Sequence, residues 1–246
     1  MREYFEALRR SYADLPPVTR FCFDASVVGY LLVMAFPISA FYLGMVPHLV
    51  WHRFWIWQLF TYMFLHGSFF HIFFNGFMLW TLGGEMERRF GSSKYLRYAL
   101  FTGIGAALFD SFILRGSIIP VIGISGVIYG LLFAYAYTSP NAVLYLYFAV
   151  PIKAKHLVWL LGFVEFYASL KPQGGIANLA HLGGLLAGAL YLWLWPKLTA
   201  LRLARKEERR EDDAKYMDEL LAKISRDGIN SLTESEKKFL DRRSGR

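Results

Sequence analysis

The residues best suited to covalent chemistry are a serine and its flanking glycines in an apolar run, residues 121–135. Gly123 allows a backbone turn just before Ser125 that a side chain would resist. Gly126 and Gly130 are four residues apart, so one face of the following helix is open to a close neighbour. At the start of that helix, the Ser125 amide is free to donate to an anion forming beside the serine hydroxyl. This pattern indicates half of an acyl-transfer site. The alternative is a packing seam of small residues, with the serine bonded to its own backbone.

Two histidine-bearing stretches at the starts of other apolar segments can supply the other half. His66, His71 and Asn75 begin the second segment, and a spacing of four places His71 and Asn75 on one helical face. His181 begins the sixth segment. Polar side chains are costly in a membrane and usually face a cavity. We therefore expect His71, Asn75, Ser125 and His181 to lie at one depth.

Two glycines that follow this histidine, Gly184 and Gly188, repeat the spacing of Gly126 and Gly130. Small residues on both faces let two helix backbones approach closely. We therefore expect the fourth and sixth segments to pack together, with His181 within reach of the serine hydroxyl.

Other roles for these polar residues stay open on spacing alone. His71, Asn75 and His181 also suit hydrogen bonds that hold helices together, worth roughly 0.6–2 kcal/mol in membranes. His66, His71 and His181 with a water would match a catalytic zinc shell. However, the sequence has no H-E-x-x-H motif, and a metal leaves the serine without a role, so we predict no metal and no cofactor.

Two acids, Asp110 in the third segment and Glu165 in the fifth, reach a similar depth and are able to orient a histidine. Nothing in the spacing selects either one. We therefore expect both to be paired or to line a cavity.

The composition excludes an ordinary soluble domain. The 246 residues are 55% hydrophobic and 18% aromatic, with a mean hydropathy of +0.32, which is typical of a polytopic membrane protein. The net charge of +8 lies mostly in the tail after Trp195 and in short loops, so it indicates membrane topology and not nucleic-acid binding. The single cysteine, Cys22, excludes an intrachain disulfide. Residues 1–20 are polar and show no cleavable signal, so we expect the first apolar run to be an anchor.

Six apolar segments each approach the roughly 20 residues that span a bilayer. Their approximate bounds are 25–45, 66–82, 95–114, 121–138, 156–170 and 177–195. We expect the run from Gly83 to Gly91 to end the second segment. The loop 46–65 carries Trp51, Trp55 and Trp57, which indicates that it lies in the headgroup region. The expected fold is an all-α membrane protein, a six-helix bundle with an interfacial loop between its first two helices.

Loop cations set the expected orientation. One side carries the basic tail and Arg2, Arg9, Arg10, Arg20, Arg88, Arg89, Lys94, Arg97, Lys153 and Lys155, and the other side carries only Arg53, Arg115 and Lys171. The positive-inside rule then makes both termini cytoplasmic. The second, fourth and sixth helices would all begin near the outer face.

With these residues in place, the chain resembles the rhomboid family of intramembrane serine proteases over about residues 55–194. The motifs that carry the resemblance are His66, His71-x-x-x-Asn75, Gly83-Gly84-x-x-Glu87-Arg88-Arg89-x-Gly91-Ser92, Gly123-x-Ser125-Gly126 with Tyr129, and Ala180-His181-x-x-Gly184-x-x-x-Gly188. In this combination and order they are highly specific. The resemblance implies an integral, multi-pass protein, of the bacterial inner membrane.

The resemblance also implies roles for the residues of the site. Ser125 and His181 would form a Ser–His dyad that requires no acid. His71, Asn75 and the Ser125 amide would form the oxyanion hole. Each of these roles matches the position that spacing and depth already indicate.

Further residues of the motifs would support the site. His66 would lie near the substrate groove, and Tyr129 would stack on the ring of the catalytic histidine. Gly123 and the four glycines of the two packing faces would set the backbone geometry. Such proteins carry a Trp-Arg pair in the first external loop, whereas this chain has Trp57-Gln58, which bears on how the loop is anchored.

The expected function is that of a serine endopeptidase that cleaves transmembrane substrates near the outer membrane face. Its expected partners are those substrates and the lipid bilayer, without nucleic acid, and the sequence indicates no particular oligomeric state. The alternative is a non-catalytic rhomboid-like protein that binds transmembrane helices, although such a protein would be expected to lack the serine or the histidine.

The expected domain organisation has three parts: a cytoplasmic N-terminal segment, 1–24; the six-helix protease domain, 25–196; and a charged cytoplasmic helical tail, 197–246. Within the tail, Asp227-Gly228 predicts a helix end. Thr233 to Glu236 has the pattern of a capping box that starts a further helix.

Overall fold

A computed structural model describes residues 2–146, 149–171 and 175–244 and is mostly helical. It divides into two compact units, Met1–Leu192 and Trp193–Arg246. The α-helices are α1 (Arg2–Ala13), α2 (Pro17–Ala35), α3 (Ser39–Leu43), α4 (Pro47–Arg53), α5 (Gln58–Thr61), α6 (Phe69–Met78), α7 (Gly84–Phe90), α8 (Ser92–Ile113), α9 (Ser125–Thr138), α10 (Ala154–Ser169), α11 (Gly175–Asp227) and α12 (Glu234–Ser244). Short 3₁₀ turns cover Tyr62–Phe64 and Ile229–Ser231, and a π turn covers Leu79–Gly83.

Three helices of the described chain are long and apolar enough to cross a membrane: α2, α8 and the part of α11 from Ala177. The helices α6, α9 and α10 are shorter, at 10, 14 and 16 residues. Three such helices in an apolar, mostly helical chain are typical of an integral membrane protein. The count of six spanning helices stays a prediction.

The first membrane helix lies nearer the N-terminus than predicted, because prolines set both of its ends. Helix α2 begins at Pro17, whose fixed φ suits the first helical position. It ends at Ala35, and Pro37 explains the stop, since proline disfavours helical geometry in the residue before it. The predicted segment 25–45 is therefore wrong at its C-terminal end, where the chain turns into α3.

A buried carboxylate caps the start of this helix. Glu87 is 1% exposed and accepts hydrogen bonds from the amides of Val18 at 3.1 Å and Thr19 at 2.7 Å, and from the Thr19 hydroxyl at 2.8 Å. A negative charge at a helix N-terminus satisfies free amides and complements the helix dipole. These hydrogen bonds hold the N-terminus of α2 against α7.

The second membrane helix runs through the glycines that were predicted to end it. Gly83 and Gly84 have helical backbone angles, and the helix continues through the π turn and α7 to Phe90. A Cβ on Gly83 would lie 2.9 Å from the Tyr95 hydroxyl, so close packing explains this glycine. The helix ends at Gly91, which has a φ of +75°.

The segment between the first two membrane helices contains α3, α4, α5 and a 3₁₀ turn. Gln58 anchors it and is fully buried. Its Oε1 accepts from the Val46 amide at 3.0 Å, and its Nε2 donates to the carbonyls of Phe41 at 2.9 Å and Tyr42 at 3.3 Å. The glutamine therefore satisfies backbone groups of two turns of this segment.

A two-stranded antiparallel hairpin departs from the all-α prediction. Its strands are β1 (Val143–Leu146) and β2 (Val150–Lys153), which pair in the register Val143 with Lys153 and Leu146 with Val150. It connects α9 to α10. β-Branched or aromatic residues occupy alternate positions of both strands, which favours this structure. Because the strands are only four residues long, the sequence analysis treated them as part of a loop.

The helices α9 and α11 touch through glycines. A Cβ on Gly184 would lie 2.1 Å from the carbonyl oxygen of Gly126, and one on Gly188 would lie 3.2 Å from the Cα of Gly130. A Cβ on Gly126 would also lie 2.7 Å from the Cβ of Ala106 in α8. The predicted contact between the two glycine faces is therefore confirmed, and α8 packs on the same side of α9.

The second unit contains the end of α11 and a short helix after it. Gly228 has a φ of +81° and ends α11, as predicted. The Thr233 amide donates to Glu236 at 2.6 Å, and the Glu236 amide donates to the Thr233 hydroxyl at 3.4 Å, which confirms the capping box. The bond from the Thr233 amide and those from Lys223 hold the pKa of Glu236 at about 2, below its ordinary value.

Substituting Gly184 by valine is expected to destabilise the first unit, because the added carbon would overlap the backbone of α9. Overpacking of this kind costs about 1–3 kcal/mol. The melting temperature in detergent measures the effect. Gly116→Val is the matched control, since a Cβ there meets nothing within 4 Å. Equal melting temperatures for the two variants would contradict the packing described here.

Substituting Gln58 by leucine is expected to lower the free energy of unfolding, because the buried Val46 amide loses its partner, which costs about 1–3 kcal/mol. Denaturant titration in detergent micelles measures the change. Asn141→Leu, at an exposed amide side chain, serves as the control and is expected to change little. A Gln58→Leu variant as stable as this control would show that the three bonds contribute no net stability.

Candidate functional site

The segment before Ser125 is held extended by two neighbouring stretches of backbone. Val121 exchanges two backbone hydrogen bonds with Met45, at 2.8 and 2.9 Å. The Gly123 amide donates to the Tyr62 carbonyl at 2.9 Å, and Gly123 has a φ of +122°, which only glycine adopts easily. Helix α9 begins directly afterwards at Ser125. The serine hydroxyl and its amide therefore lie at a helix N-terminus.

The histidine of α11 lies against this serine. His181 Nε2 is 2.8 Å from Ser125 Oγ. The glycine contact between α9 and α11 brings the two side chains within hydrogen-bonding distance. Gly184, three residues after His181, lies directly against the backbone of Gly126, and no side chain separates the two helices there. This pair has the spacing of a nucleophile and its general base.

The ring of Tyr129 stacks on that of His181, with centroids 4.3 Å apart and planes inclined by 9°. Tyr129 lies four residues after Ser125, on the same face of α9. The stack limits the rotation of the imidazole and so favours the orientation in which Nε2 meets the serine.

His71 and Asn75, on one face of α6, converge beside the turn at Gly123. A Cβ on Gly123 would lie 2.6 Å from His71 Nε2 and 3.6 Å from Asn75 Nδ2. Asn75 is 8% exposed, and within the described residues its Nδ2 has no hydrogen-bond partner. An unpaired buried donor is costly unless something binds it. Two nitrogens therefore lie beside Gly123, two residues before Ser125.

His66 lies behind this pair. It is fully buried, and its ring is 4.7 Å from that of His71, at 67°. Its Nδ1 is 3.3 Å from the Phe64 carbonyl. His66 therefore packs against His71, a candidate for the oxyanion hole.

The two acids of similar predicted depth have different surroundings. Glu165 Oε1 is 3.0 Å from His181 Nδ1 and accepts a hydrogen bond from the Tyr129 hydroxyl, and Oε2 accepts one from the Asn178 amide. Asp110 is fully buried, and its carboxylate oxygens have no hydrogen-bond partner among the described residues.

Sequence reasoning named Glu165 as able to orient a histidine but did not select it over Asp110, and it did not name Asn178. Asn178 carried a usable signal, since it lies three residues before His181 on the same helical face. Glu165 belongs to another helix, α10. Its contact with His181 depends on how α10 is rotated about its own axis, and residue spacing in the sequence does not determine that rotation.

The fold and the site define an integral membrane protein of apolar helices with a serine and a histidine in hydrogen-bonding contact. A family model described as the Rhomboid domain matches residues 53–197, more than half of the chain. The chain belongs to the rhomboid family. A second model, for a family of unknown function, matches residues 204–246 in the tail.

Curated relatives agree with this family. The chain is 34% identical over 142 residues to the rhomboid protease GlpG of Yersinia pestis (strain Pestoides F), a match that covers 55% of this chain and 46% of that protein. It is 33% identical over 142 residues to the GlpG of Yersinia enterocolitica serotype O:8, with the same coverage. The chain spans about half the length of these relatives.

Substituting Asn75 by alanine is expected to lower kcat for acyl transfer at Ser125 about 10²- to 10³-fold, the usual effect of removing one oxyanion donor. KM is expected to change little, because the donor would act on charge that develops after binding. Steady-state cleavage of a model transmembrane substrate measures both constants. Asn141→Ala is the control, since it removes the same amide side chain at an exposed position after α9. A normal kcat for Asn75→Ala would remove Asn75 from the oxyanion hole.

Proposed function

We propose that this protein is an intramembrane serine endopeptidase that uses a dyad of Ser125 and His181. The observation that carries the proposal is the 2.8 Å contact between His181 Nε2 and Ser125 Oγ at the start of α9. Membership of the rhomboid family and the curated relatives named as rhomboid proteases support it.

In the proposed reaction, Ser125 Oγ attacks the scissile carbonyl carbon while His181 Nε2 takes the serine proton. The Ser125 amide, Asn75 Nδ2 and a His71 N–H stabilise the resulting oxyanion. His181 then gives its proton to the leaving amine, and the C–N bond breaks. Water attacks the acyl-enzyme with His181 as general base, which releases the second product and restores the serine.

The other motif residues support this chemistry without contacting the scissile bond. Tyr129 holds the imidazole plane, and His66 supports His71 beside the substrate groove. Gly123 lets His71 approach the serine turn, since a side chain there would collide with the ring. The glycine pairs Gly126 with Gly184 and Gly130 with Gly188 set the distance between the helices that carry the dyad.

The substrates of this reaction are proposed to be transmembrane proteins cleaved near the outer face of a bacterial inner membrane. The six-helix domain would comprise residues 25–196. The loop cations favour cytoplasmic termini, and with that orientation α6, α9 and α11 would begin near the outer face of the membrane. A helical substrate has its carbonyls already bonded, so cleavage requires an unwound stretch. Residues 1–24 and 197–246 would then be cytoplasmic.

Labelling with a fluorophosphonate probe tests the dyad. The purified protein in detergent is expected to label, whereas Ser125→Ala is expected to give none and His181→Ala to lower the rate at least about 10³-fold. Melting temperatures confirm that the variants fold. Unchanged labelling of Ser125→Ala would exclude the serine, and a folded wild type that does not label would favour the non-catalytic helix-binding protein.

Cleavage of a transmembrane substrate in liposomes tests the remainder of the proposal. The products are expected to carry a new terminus near one membrane face, and mass spectrometry locates it. Cleavage only within a soluble domain of the substrate would contradict intramembrane proteolysis.

A further inference from the structure

A carboxylate from a third helix lies on the far side of the histidine. Glu165, in α10, is 6% exposed and receives three donors: His181 Nδ1 at 3.0 Å, the Tyr129 hydroxyl and the Asn178 amide. Two of these donors contact Oε1 and the third contacts Oε2. The acid thus connects the helix of the serine, α9, with the helix of the histidine, α11.

A carboxylate at this depth is costly unless it is paired. Donors approach both of its oxygens, so its capacity to accept hydrogen bonds is used and its charge is stabilised. Asp110 has no such partners among the described residues. The surroundings of Glu165 therefore differ from those of Asp110, the other acid of similar predicted depth.

These contacts determine which nitrogen of His181 carries the proton. An ionised carboxylate only accepts hydrogen bonds, so Nδ1 must be the donor in the pair with Glu165. In a neutral imidazole the other nitrogen is then an acceptor. Nε2 therefore accepts from the Ser125 hydroxyl at 2.8 Å, which is the tautomer that a general base requires.

We propose that Glu165 is a positioning residue that turns the dyad into a Ser125–His181–Glu165 triad. It acts through His181, by fixing the tautomer and by stabilising the imidazolium that forms when the serine loses its proton. This inference rests on the proposed function. It differs from the expectation that the histidine needs no acid.

The other groups of the described chain that face the imidazole of His181 carry no negative charge that would stabilise the imidazolium. Ser125 and Tyr129 face it from α9. Neither of them is an acid that would stabilise a positive ring. Glu165 is the carboxylate among the described residues that contacts His181.

Two substitutions separate the functions of the carboxylate. Glu165→Gln keeps the size and an accepting oxygen but removes the charge. Glu165→Leu removes the acceptor as well, so Nδ1 no longer has to carry the proton. Asp110→Asn is the matched control, an acid-to-amide change at a buried position without contact to His181.

The experiment measures labelling by a fluorophosphonate as a function of probe concentration, which gives a maximal rate and a half-saturating concentration. In this step Ser125 Oγ forms a bond to phosphorus, fluoride leaves, and the serine proton passes to His181 Nε2. The maximal rate is expected to fall about 10⁴-fold in Glu165→Gln, by analogy with the acid-to-amide change in the Ser-His-Asp triad, and at least as far in Glu165→Leu. The half-saturating concentration is expected to stay within about twofold, since Glu165 would act on the chemical step only.

The controls make the result decisive. Asp110→Asn is expected to label at the wild-type rate, and Glu165→Gln is expected to melt within a few degrees of wild type. A maximal rate within threefold of wild type in Glu165→Gln would overturn the triad while leaving the dyad in place. An equal loss in Asp110→Asn, or a loss confined to the half-saturating concentration, would assign Glu165 a structural role. A wild type that does not label would overturn both proposals.

Discussion

The close contact between the backbones of α9 and α11 is the constraint on which the site depends. Gly184 lies so near the Gly126 carbonyl that even a methyl group would collide with it. Because no side chain lies between the helices, the distance from Ser125 to His181 is set by backbone packing and not by flexible side chains. The same close approach lets Tyr129 cover the imidazole, while α10 adds Glu165 from the other side. Small residues are thus as necessary to the geometry as the polar ones.

Three polar side chains buried in this apolar protein are matched to several partners each. Glu87 caps a helix, Gln58 bonds to three backbone groups, and Glu165 accepts from three side chains. Glu87 joins α7 to α2, Gln58 joins turns of one connecting segment, and Glu165 joins α10 to α9 and α11. Asn75 Nδ2, like both carboxylate oxygens of Asp110, is buried and lacks a partner within the described residues. A donor that is left unpaired at rest suits a site whose charge appears only during reaction.

The sequence predicted the parts of the site that depend on depth along helices. His71 and Asn75 share a face because they are four residues apart, and the paired glycines predicted the contact between the fourth and sixth segments. The contact of Glu165 depends on how α10 is rotated against α11, which one sequence does not encode in any local pattern. The helix ends were missed for a related reason. Gly83 looks like a helix terminator, yet it allows close packing against Tyr95, which the sequence alone does not reveal.

The π turn Leu79–Gly83 has a consequence for the second membrane helix. Asn75 and Glu87 are twelve residues apart, and in an uninterrupted α-helix they would point about 120° away from each other. The extra residue of a π turn reduces this difference to about 20°, so both side chains face the protein interior, where both are buried. Insertion or deletion of one residue between them would turn one of the two outward. The number of residues between Asn75 and Glu87 is therefore set by the need to bury both side chains.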